Sequence, residues 1–282
     1  MCLRFFFFFT IFLSVNSHAR LDVGVRAQSL GGAIRAQGGS NDVIYYNPAA
    51  LIKKRRLGPE AEYLIGSQNE GHIFGVSVVD SSTSTWGVGL AYNTHFFPDS
   101  DTSSSHSFYV ASTIPLGTDW LTLGSSFSYV YDKNLGPAPY KHFLNGDIAL
   151  MANIPIGFSL AIVADHIWKA KGREKSLGLS VGSAFDFGVL LPLPLTLSFD
   201  WTMNDATSDG DLDHVLSAGA EFILLSVLPL RAGFKSSIKE NKKVVSLGSG
   251  LILGMFEADV LYSQDVLVGK NRQFGFALRT HI

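Results

Sequence analysis

The stretch LLPLPLTLSFDWTMNDATSDGDLD, from Leu190 to Asp213, contains one complete copy of the unit from which most of the chain is built. A short apolar turn with two prolines leads into a segment of alternating apolar and polar residues, and a polar connection follows. Successive side chains of a β-strand point to opposite faces, so this stretch predicts a strand with one apolar and one polar face. The apolar face comprises Leu195, Leu197, Phe199, Trp201 and Met203, and the polar face comprises Thr196, Ser198, Asp200, Thr202 and Asn204.

The same unit recurs from about Glu60 to the end of the chain, and its turns are of two kinds. Tight apolar turns such as TIPLG (Thr113–Gly117) and NIPIG (Asn153–Gly157) alternate with longer polar connections such as DKNLGPAPYKH and NDATSDGDLD. Short turns at one end and longer loops at the other are typical of outer-membrane barrels. The sequence therefore predicts an all-β fold, a transmembrane antiparallel β-barrel of about 14 strands over residues 59–282.

The composition agrees with a membrane barrel and excludes several other classes. Of the 282 residues, 16% are charged, below the roughly 25% of an ordinary soluble domain. The sequence contains no apolar run near the roughly 20 residues that a membrane-spanning helix needs. The formal net charge is −2, and there is no basic tract, so nucleic acid is not expected as a partner.

The N-terminus, MCLRFFFFFTIFLSVNSHAR, has the pattern of a secretory signal peptide. Arg4 precedes an apolar run, and the small residues Ser17 and Ala19 follow it, which predicts a signal peptide over residues 1–19. Cys2 would leave with it, so disulfides and thiolate metal sites are excluded from the rest of the chain. We expect the outer membrane of a Gram-negative cell as the location, and outer-membrane lipid and the barrel-assembly machinery as partners. The terminal Ile282 departs from the C-terminal aromatic that many such barrels have.

Residues 20–58 differ from everything that follows and predict a plug or hatch. In NDVIYYNPAALIKK, Asn47 is a good N-cap and Pro48 suits the first helical position. This pattern predicts a one- or two-turn helix at the periplasmic mouth. The preceding GVRAQSLGGAIRAQGGSNDV is rich in glycine and small residues, which permit close approach between backbones.

The order GVRAQSLGGA, then NDVIYYNPAAL, then a series of hairpins resembles the FadL-type family of outer-membrane long-chain fatty-acid transporters. It is equally similar to the related PorV family of type IX secretion systems. The FadL resemblance implies fourteen strands, an N-terminal hatch inside the barrel and hydrophobic ligands that leave sideways into the membrane. The expected function is passive or gated transport of small hydrophobic molecules. The alternative is a PorV-like, non-transporting scaffold that docks a secreted protein or lipoprotein.

Two sets of candidate functional residues follow. We predict Tyr45, Tyr46, Asn47 and Pro48 at the ligand path, where the aromatic rings supply apolar contact and Asn47 holds the turn. The second set consists of charged residues on the lumenal faces of the strands: Asp200, Glu221, Arg231, Glu257 and Arg279.

The lumenal charges are expected to form ion pairs that fix the plug and tune permeation. A last hairpin centred near residues 267 and 268 places Glu257 directly opposite Arg279, and Glu221 and Arg231 are predicted to be diagonal neighbours. Many small residues share this face, and its glycines either leave volume for the N-terminal segment or bend the strands.

Enzymatic constellations are not found in the sequence. The histidines are scattered without the spacing of a zinc site, and LGGAIRAQGGS lacks the Lys-Ser/Thr of a phosphate-binding loop. The sequence therefore predicts a non-enzymatic protein with no catalytic residues, no cofactor and no metal site.

Overall fold

A computed structural model of the chain describes residues 22–67, 71–97, 103–117, 120–133, 140–167, 177–205, 212–267 and 271–282. It is a closed barrel of 14 antiparallel strands in which each strand pairs with its neighbours in sequence and the first strand pairs with the last. The predicted fold class and strand number are confirmed. The predicted signal peptide, residues 1–19, lies outside the described residues.

The strands follow one another without any crossover. They are β1 (Leu57–Gly66), β2 (His72–Asp80), β3 (Gly87–Phe96), β4 (Ser104–Pro115), β5 (Leu121–Lys133), β6 (Tyr140–Ile154), β7 (Phe158–Asp165), β8 (Gly178–Asp186), β9 (Leu195–Asp205), β10 (Leu212–Leu224), β11 (Leu228–Ser237), β12 (Lys242–Leu253), β13 (Phe256–Asp265) and β14 (Arg272–Thr280). Two short α-helices precede them, α1 (Val25–Ser29) and α2 (Val43–Tyr46), with a 3-10 helix at Pro48–Ala50; a second 3-10 helix, Phe187–Val189, follows β8. The barrel thus begins at Leu57, two residues before the predicted boundary.

The outer wall is apolar and the inner wall is polar, the reverse of a soluble sheet protein. Phe199 has 57% of its surface exposed, whereas Asp200, the next residue, is 4% exposed and faces the lumen. The same alternation recurs along the other strands, with Leu90, Val110, Ile148 and Leu247 all facing outwards. An apolar outer band around a polar interior is the arrangement that a barrel adopts in a lipid bilayer. Within the described ranges, no helix is long and apolar enough to cross a membrane.

The seam between β1 and β14 closes the barrel beside the rim that carries the short turns. The Leu57 amide donates to the Ile282 carbonyl at 3.0 Å, and the Ile282 amide donates to the Leu57 carbonyl at 2.9 Å. Further along the seam, Glu60 pairs with Arg279. The start and the end of the barrel therefore lie at one rim, where the N-terminal segment enters the lumen.

Residues 22–56, called the plug from here on, occupy the lumen. A barrel of about eight strands is filled by its own side chains, so fourteen strands enclose a wider space that needs another occupant. Helix α1 packs against β11 to β14 and β1, α2 packs against β3 and β4, and the 3-10 helix Pro48–Ala50 packs against β4, β5 and β6. The hydrophobic core of the molecule lies between plug and wall, where Val25, Ile44 and Leu51 meet wall residues such as Met151 and Leu261.

Candidate functional site

Inward-facing glycines bring the plug backbone into direct contact with the wall. A Cβ atom at Gly124 of β5 would lie 2.6 Å from Ala49 Cα, and one at Gly233 of β11 would lie 2.8 Å from Leu30 Cα. Real Cβ atoms do not approach other carbons so closely, since favourable contacts begin near roughly 3.5 Å. Only glycine therefore fits these two positions while the plug is in place.

A second pair of glycines accommodates side chains and carbonyl groups of the plug. A Cβ at Gly89 would lie 2.7 Å from Ile44 Cγ1, and one at Gly219 would lie 2.8 Å from the Leu30 carbonyl oxygen. The sequence left open whether lumenal glycines leave room for the N-terminal segment or bend the strands. At these positions the structure supports the first alternative.

The Asn47–Pro48 signature fixes the turn of the plug beneath β4 and β5. Asn47 Oδ1 accepts from the Ala49 amide at 2.9 Å, as expected of an N-cap, while Asn47 Nδ2 donates to the Arg35 carbonyl at 2.6 Å. The Thr113 hydroxyl donates to the Pro48 carbonyl on the wall side. Asn47 therefore joins two parts of the plug, and the wall holds the turn that follows it.

The helix at this signature begins where the sequence predicts. Asn47 is extended with φ −159° and caps the 3-10 helix Pro48–Ala50, whose first residue is Pro48. This helix is a single 3-10 turn, and α2, which ends at Tyr46, is separate from it because the residue before a proline disfavours the helical conformation.

The two predicted ligand-path tyrosines are packed within the plug and against the wall. The Tyr45 ring meets Tyr109 of β4 edge to face, with centroids 5.0 Å apart. The Arg35 guanidinium lies 5.6 Å from the centre of the Tyr46 ring, and the Tyr46 hydroxyl donates to the Val23 carbonyl at 3.2 Å. In this arrangement both rings stabilise the docked plug, and their role in a ligand path stays a prediction.

An ion-pair network joins α1 to the wall. Glu221 of β10 accepts from Arg26 Nε of the plug at 2.9 Å and from Arg231 Nε of β11 at 2.7 Å. The predicted Glu221–Arg231 pair exists, but its geometry was predicted wrongly: the two residues are directly opposite, not diagonal. The reason is that the β10–β11 hairpin is centred on Ser226, because Leu224 pairs with Leu228 and three residues form the turn.

The network continues across β13 and β14. Glu257 pairs directly with Arg279 across the last hairpin, as predicted, with Oε2 3.1 Å from Arg279 Nη1. Arg231 also reaches Glu257 at 3.3 Å and contacts Asp259. These four residues come from three strands of the wall, β11, β13 and β14, and they are linked to the plug through Glu221 and Arg26.

Asp200 forms a second anchor on the other side of the lumen. Its Oδ2 accepts from the Ile34 and Arg35 amides, each at 3.1 Å, and lies 3.3 Å from Arg35 Nη1. Arg26 and Arg35 were not among the predicted charged residues, because no periodicity marks which plug side chains meet which strand. The sequence nevertheless marks these two residues, because they are the only arginines within residues 22–46, the glycine-rich stretch before Asn47.

A cavity of about 770 Å³ lies between plug and wall near the rim with the short turns. Its lining combines charged residues such as Lys53, Glu221 and Arg231 with apolar residues such as Ile154 and Ile223. Lys53 Nζ donates to the Ala36 carbonyl at 2.7 Å.

A closed fourteen-strand barrel with an apolar outer wall and a docked N-terminal plug in a polar lumen defines a plugged outer-membrane β-barrel. Three solved structures of transporters and channels are similar to this chain in fold. The Ralstonia pickettii toluene transporter TbuX superposes with a TM-score of 0.70 at 13% identity, covering 92% of this chain and 98% of the transporter. The CymD monoaromatic hydrocarbon channel gives 0.67 at 13% identity, covering 92% and 97% of the two chains.

A Pseudomonas aeruginosa FadL homologue gives a TM-score of 0.65 at 10% identity and covers 91% of this chain and 97% of its own. The resemblance to FadL-type transporters is thus confirmed as one of fold. These structures give no support to the PorV-like alternative. No protein-family model matches the chain, and no curated protein matches it in sequence.

Proposed function

We propose that this protein is a gated passage for small hydrophobic molecules across the outer membrane, with the plug as its gate. The observation that carries the proposal is how the plug is attached. It occupies the lumen, where apolar packing, backbone contacts at wall glycines and ion pairs at Glu221 and Asp200 hold it, and its chain continues into the wall only at Leu57. Such contacts can be broken and re-formed without unfolding a strand.

The substrate class follows from the cavity and from the fold. A volume of about 770 Å³ lies within the roughly 300–1,000 Å³ usual for small-molecule sites. Two of the similar structures are described as a toluene transporter and a monoaromatic hydrocarbon channel, and their fold is that of this chain. The cavity volume supports a small molecule as the substrate, and the similar structures support a hydrophobic one.

We further propose that the ligand path opens beside the plug tyrosines, as the sequence predicts. When the plug moves, the rings of Tyr45 and Tyr46 leave their packing partners and turn towards the lumen, where they supply apolar contact. Asn47 and Pro48 keep the turn intact during this movement, because Asn47 bonds within the plug on both sides of it.

The test compares single-channel conductance of the mature chain and of a variant that lacks residues 21–54, each refolded and inserted in planar bilayers. We expect the intact protein to be closed most of the time and the deletion to give a steady pore. If the folded deletion variant stayed closed, the lumen would not be a passage and transport would be abandoned.

A further inference from the structure

Three buried carboxylates converge where the plug meets the first strand. Asp42 belongs to the plug, and Glu60 and Glu62 point into the lumen from β1. One oxygen of each residue lies within 4.8 Å of the others. The three residues are 0%, 6% and 5% exposed, so bulk water does not separate their charges.

Two of these carboxylates have one oxygen with a partner and one without. Asp42 Oδ2 accepts from the Ala27 amide at 2.6 Å, and Glu62 Oε2 accepts from the Val25 amide at 3.1 Å. Asp42 Oδ1 and Glu62 Oε1 are buried and have no hydrogen-bond partner. A buried acceptor without a partner is costly, and more so when it is charged. The polypeptide therefore leaves two oxygen atoms in this cluster for a ligand.

The charge balance around the cluster points to the same conclusion. Glu60 is neutralised by Arg279, which donates to it across the β1–β14 seam. The described part of this region holds two more buried carboxylates than buried arginines. The carboxylates are Asp42, Glu60, Glu62, Glu221, Glu257 and Asp259, and the arginines are Arg26, Arg56, Arg231 and Arg279. Among these carboxylates and arginines the excess equals two negative charges; His281, whose Nε2 lies 2.8 Å from Glu257 Oε2, is outside this count. Asp42 and Glu62 are the two members of the set with a carboxylate oxygen that lacks a partner.

We propose that Asp42, Glu60 and Glu62 bind one divalent cation, Ca²⁺, which ties the plug to β1. Carboxylate oxygens are the ligands that hard cations prefer, and Ca²⁺ tolerates irregular geometry more readily than Mg²⁺ does. Asn93 Oδ1 is a neutral oxygen beside the site, because a Cβ added at Gly75 would lie 2.4 Å from it and 2.9 Å from Glu62 Oε1. It accepts one hydrogen bond, from the Tyr45 hydroxyl at 3.3 Å, and has a second lone pair. Water completes the roughly six to eight ligands of Ca²⁺.

The cation contributes to docking because its ligands come from both the plug and the wall. Asp42 moves with the plug, whereas Glu60 and Glu62 are fixed in the wall. Calcium should therefore stabilise the docked plug, and this consequence rests on the proposed gating. The binding of Ca²⁺ does not rest on it, because binding is measured in the closed protein.

The test uses the full mature chain, refolded in detergent and freed of metal, titrated with CaCl₂ by calorimetry at constant pH. Asp42→Asn and Glu62→Gln keep the side-chain shapes and should each lower Ca²⁺ affinity by at least tenfold. Asp213→Asn is the matched control. That carboxylate is also buried in the lumen, but both of its oxygens are hydrogen-bonded, to the Ser237 hydroxyl and the Lys239 amide. Heat-modified migration in gels verifies that each variant is folded.

Binding to the wild type and the control, with loss in the two variants, supports the site. No heat of Ca²⁺ binding to the wild type between pH 6 and pH 8 would overturn it, because protons would then balance the two excess charges. An equal loss in Asp213→Asn would also overturn it, since the cation would then bind elsewhere. A protein that binds Ca²⁺ but conducts nothing would refute only the proposed transport.

Discussion

Replacing Gly124 with alanine tests whether the plug is held at the wall glycines. The new Cβ would lie 2.6 Å from Ala49 Cα, roughly 1 Å inside the distance of a favourable carbon contact. The groups in conflict are two backbones, so no side-chain rotation relieves the clash. Overpacking of this kind costs about 1–3 kcal/mol.

That cost falls on the docked plug and not on the strand. Alanine is itself better than glycine in a strand interior by roughly 0.5–1 kcal/mol, so the barrel should remain folded. A loss of about 1–3 kcal/mol in docking shifts the equilibrium between docked and undocked plug by roughly 5- to 150-fold. We therefore expect the open probability of Gly124→Ala in planar bilayers to rise by a factor in that range, with unchanged single-channel conductance.

Gly117→Ala is the matched control. Gly117 lies in the β4–β5 turn with φ +72°, and a Cβ there would meet no atom within 4 Å. The substitution strains the backbone but touches no part of the plug, so it should lower thermal stability without opening the channel. An open probability of folded Gly124→Ala equal to that of the wild type would refute the reasoning, and so would an equal increase in Gly117→Ala.

Three further substitutions probe the anchors of the plug. Arg26→Ala removes the plug partner of Glu221 but leaves its wall partner, so open probability should rise several-fold while the melting temperature of the barrel changes little; a large loss of barrel stability would contradict this assignment. Arg279→Ala leaves the buried Glu60 without its arginine and takes one of two arginines from Glu257 and Asp259, so it should destabilise the barrel by about 3–5 kcal/mol, measured by denaturant unfolding; unchanged stability would exclude a structural role. Asn47→Ala removes an N-cap worth about 0.5–2 kcal/mol and should speed hydrogen exchange in the 3-10 helix, with equal exchange counting against the cap.

The sequence predicts the barrel because the alternation along each strand and the turn of each hairpin involve residues close together in the sequence. Alternation sets which residues face lipid, and hairpin symmetry sets the register wherever the turn is readable, as it is for Glu257 and Arg279. The same reasoning failed for Glu221 and Arg231, since moving a hairpin centre by one residue shifts the register by two and turns opposite residues into diagonal ones. A register predicted from the sequence is therefore correct only where the centre of the turn is placed correctly.

The contacts of the plug could not be predicted in this way. Arg26 meets Glu221 across 195 residues of sequence, and Asn47 bonds to the Arg35 carbonyl within a segment that has no regular period. The acidic cluster was missed for a different reason. Glu60 and Glu62 both alternate with outward-facing residues in β1, which identifies them as lumenal, but only the folded plug brings Asp42 beside them.

The β1–β14 seam gives the chain a built-in order of assembly. Glu60 is supplied by β1 and Arg279 by β14, so Glu60 lacks this partner until β14 has been made and pairs with β1. The plug precedes β1 and must be in the lumen, or able to enter through the rim, when the two edges meet. A chain truncated before β14 would therefore lack both the closing hydrogen bonds and the arginine that pairs with Glu60. Its edge strands would stay unpaired, and the plug would not be enclosed.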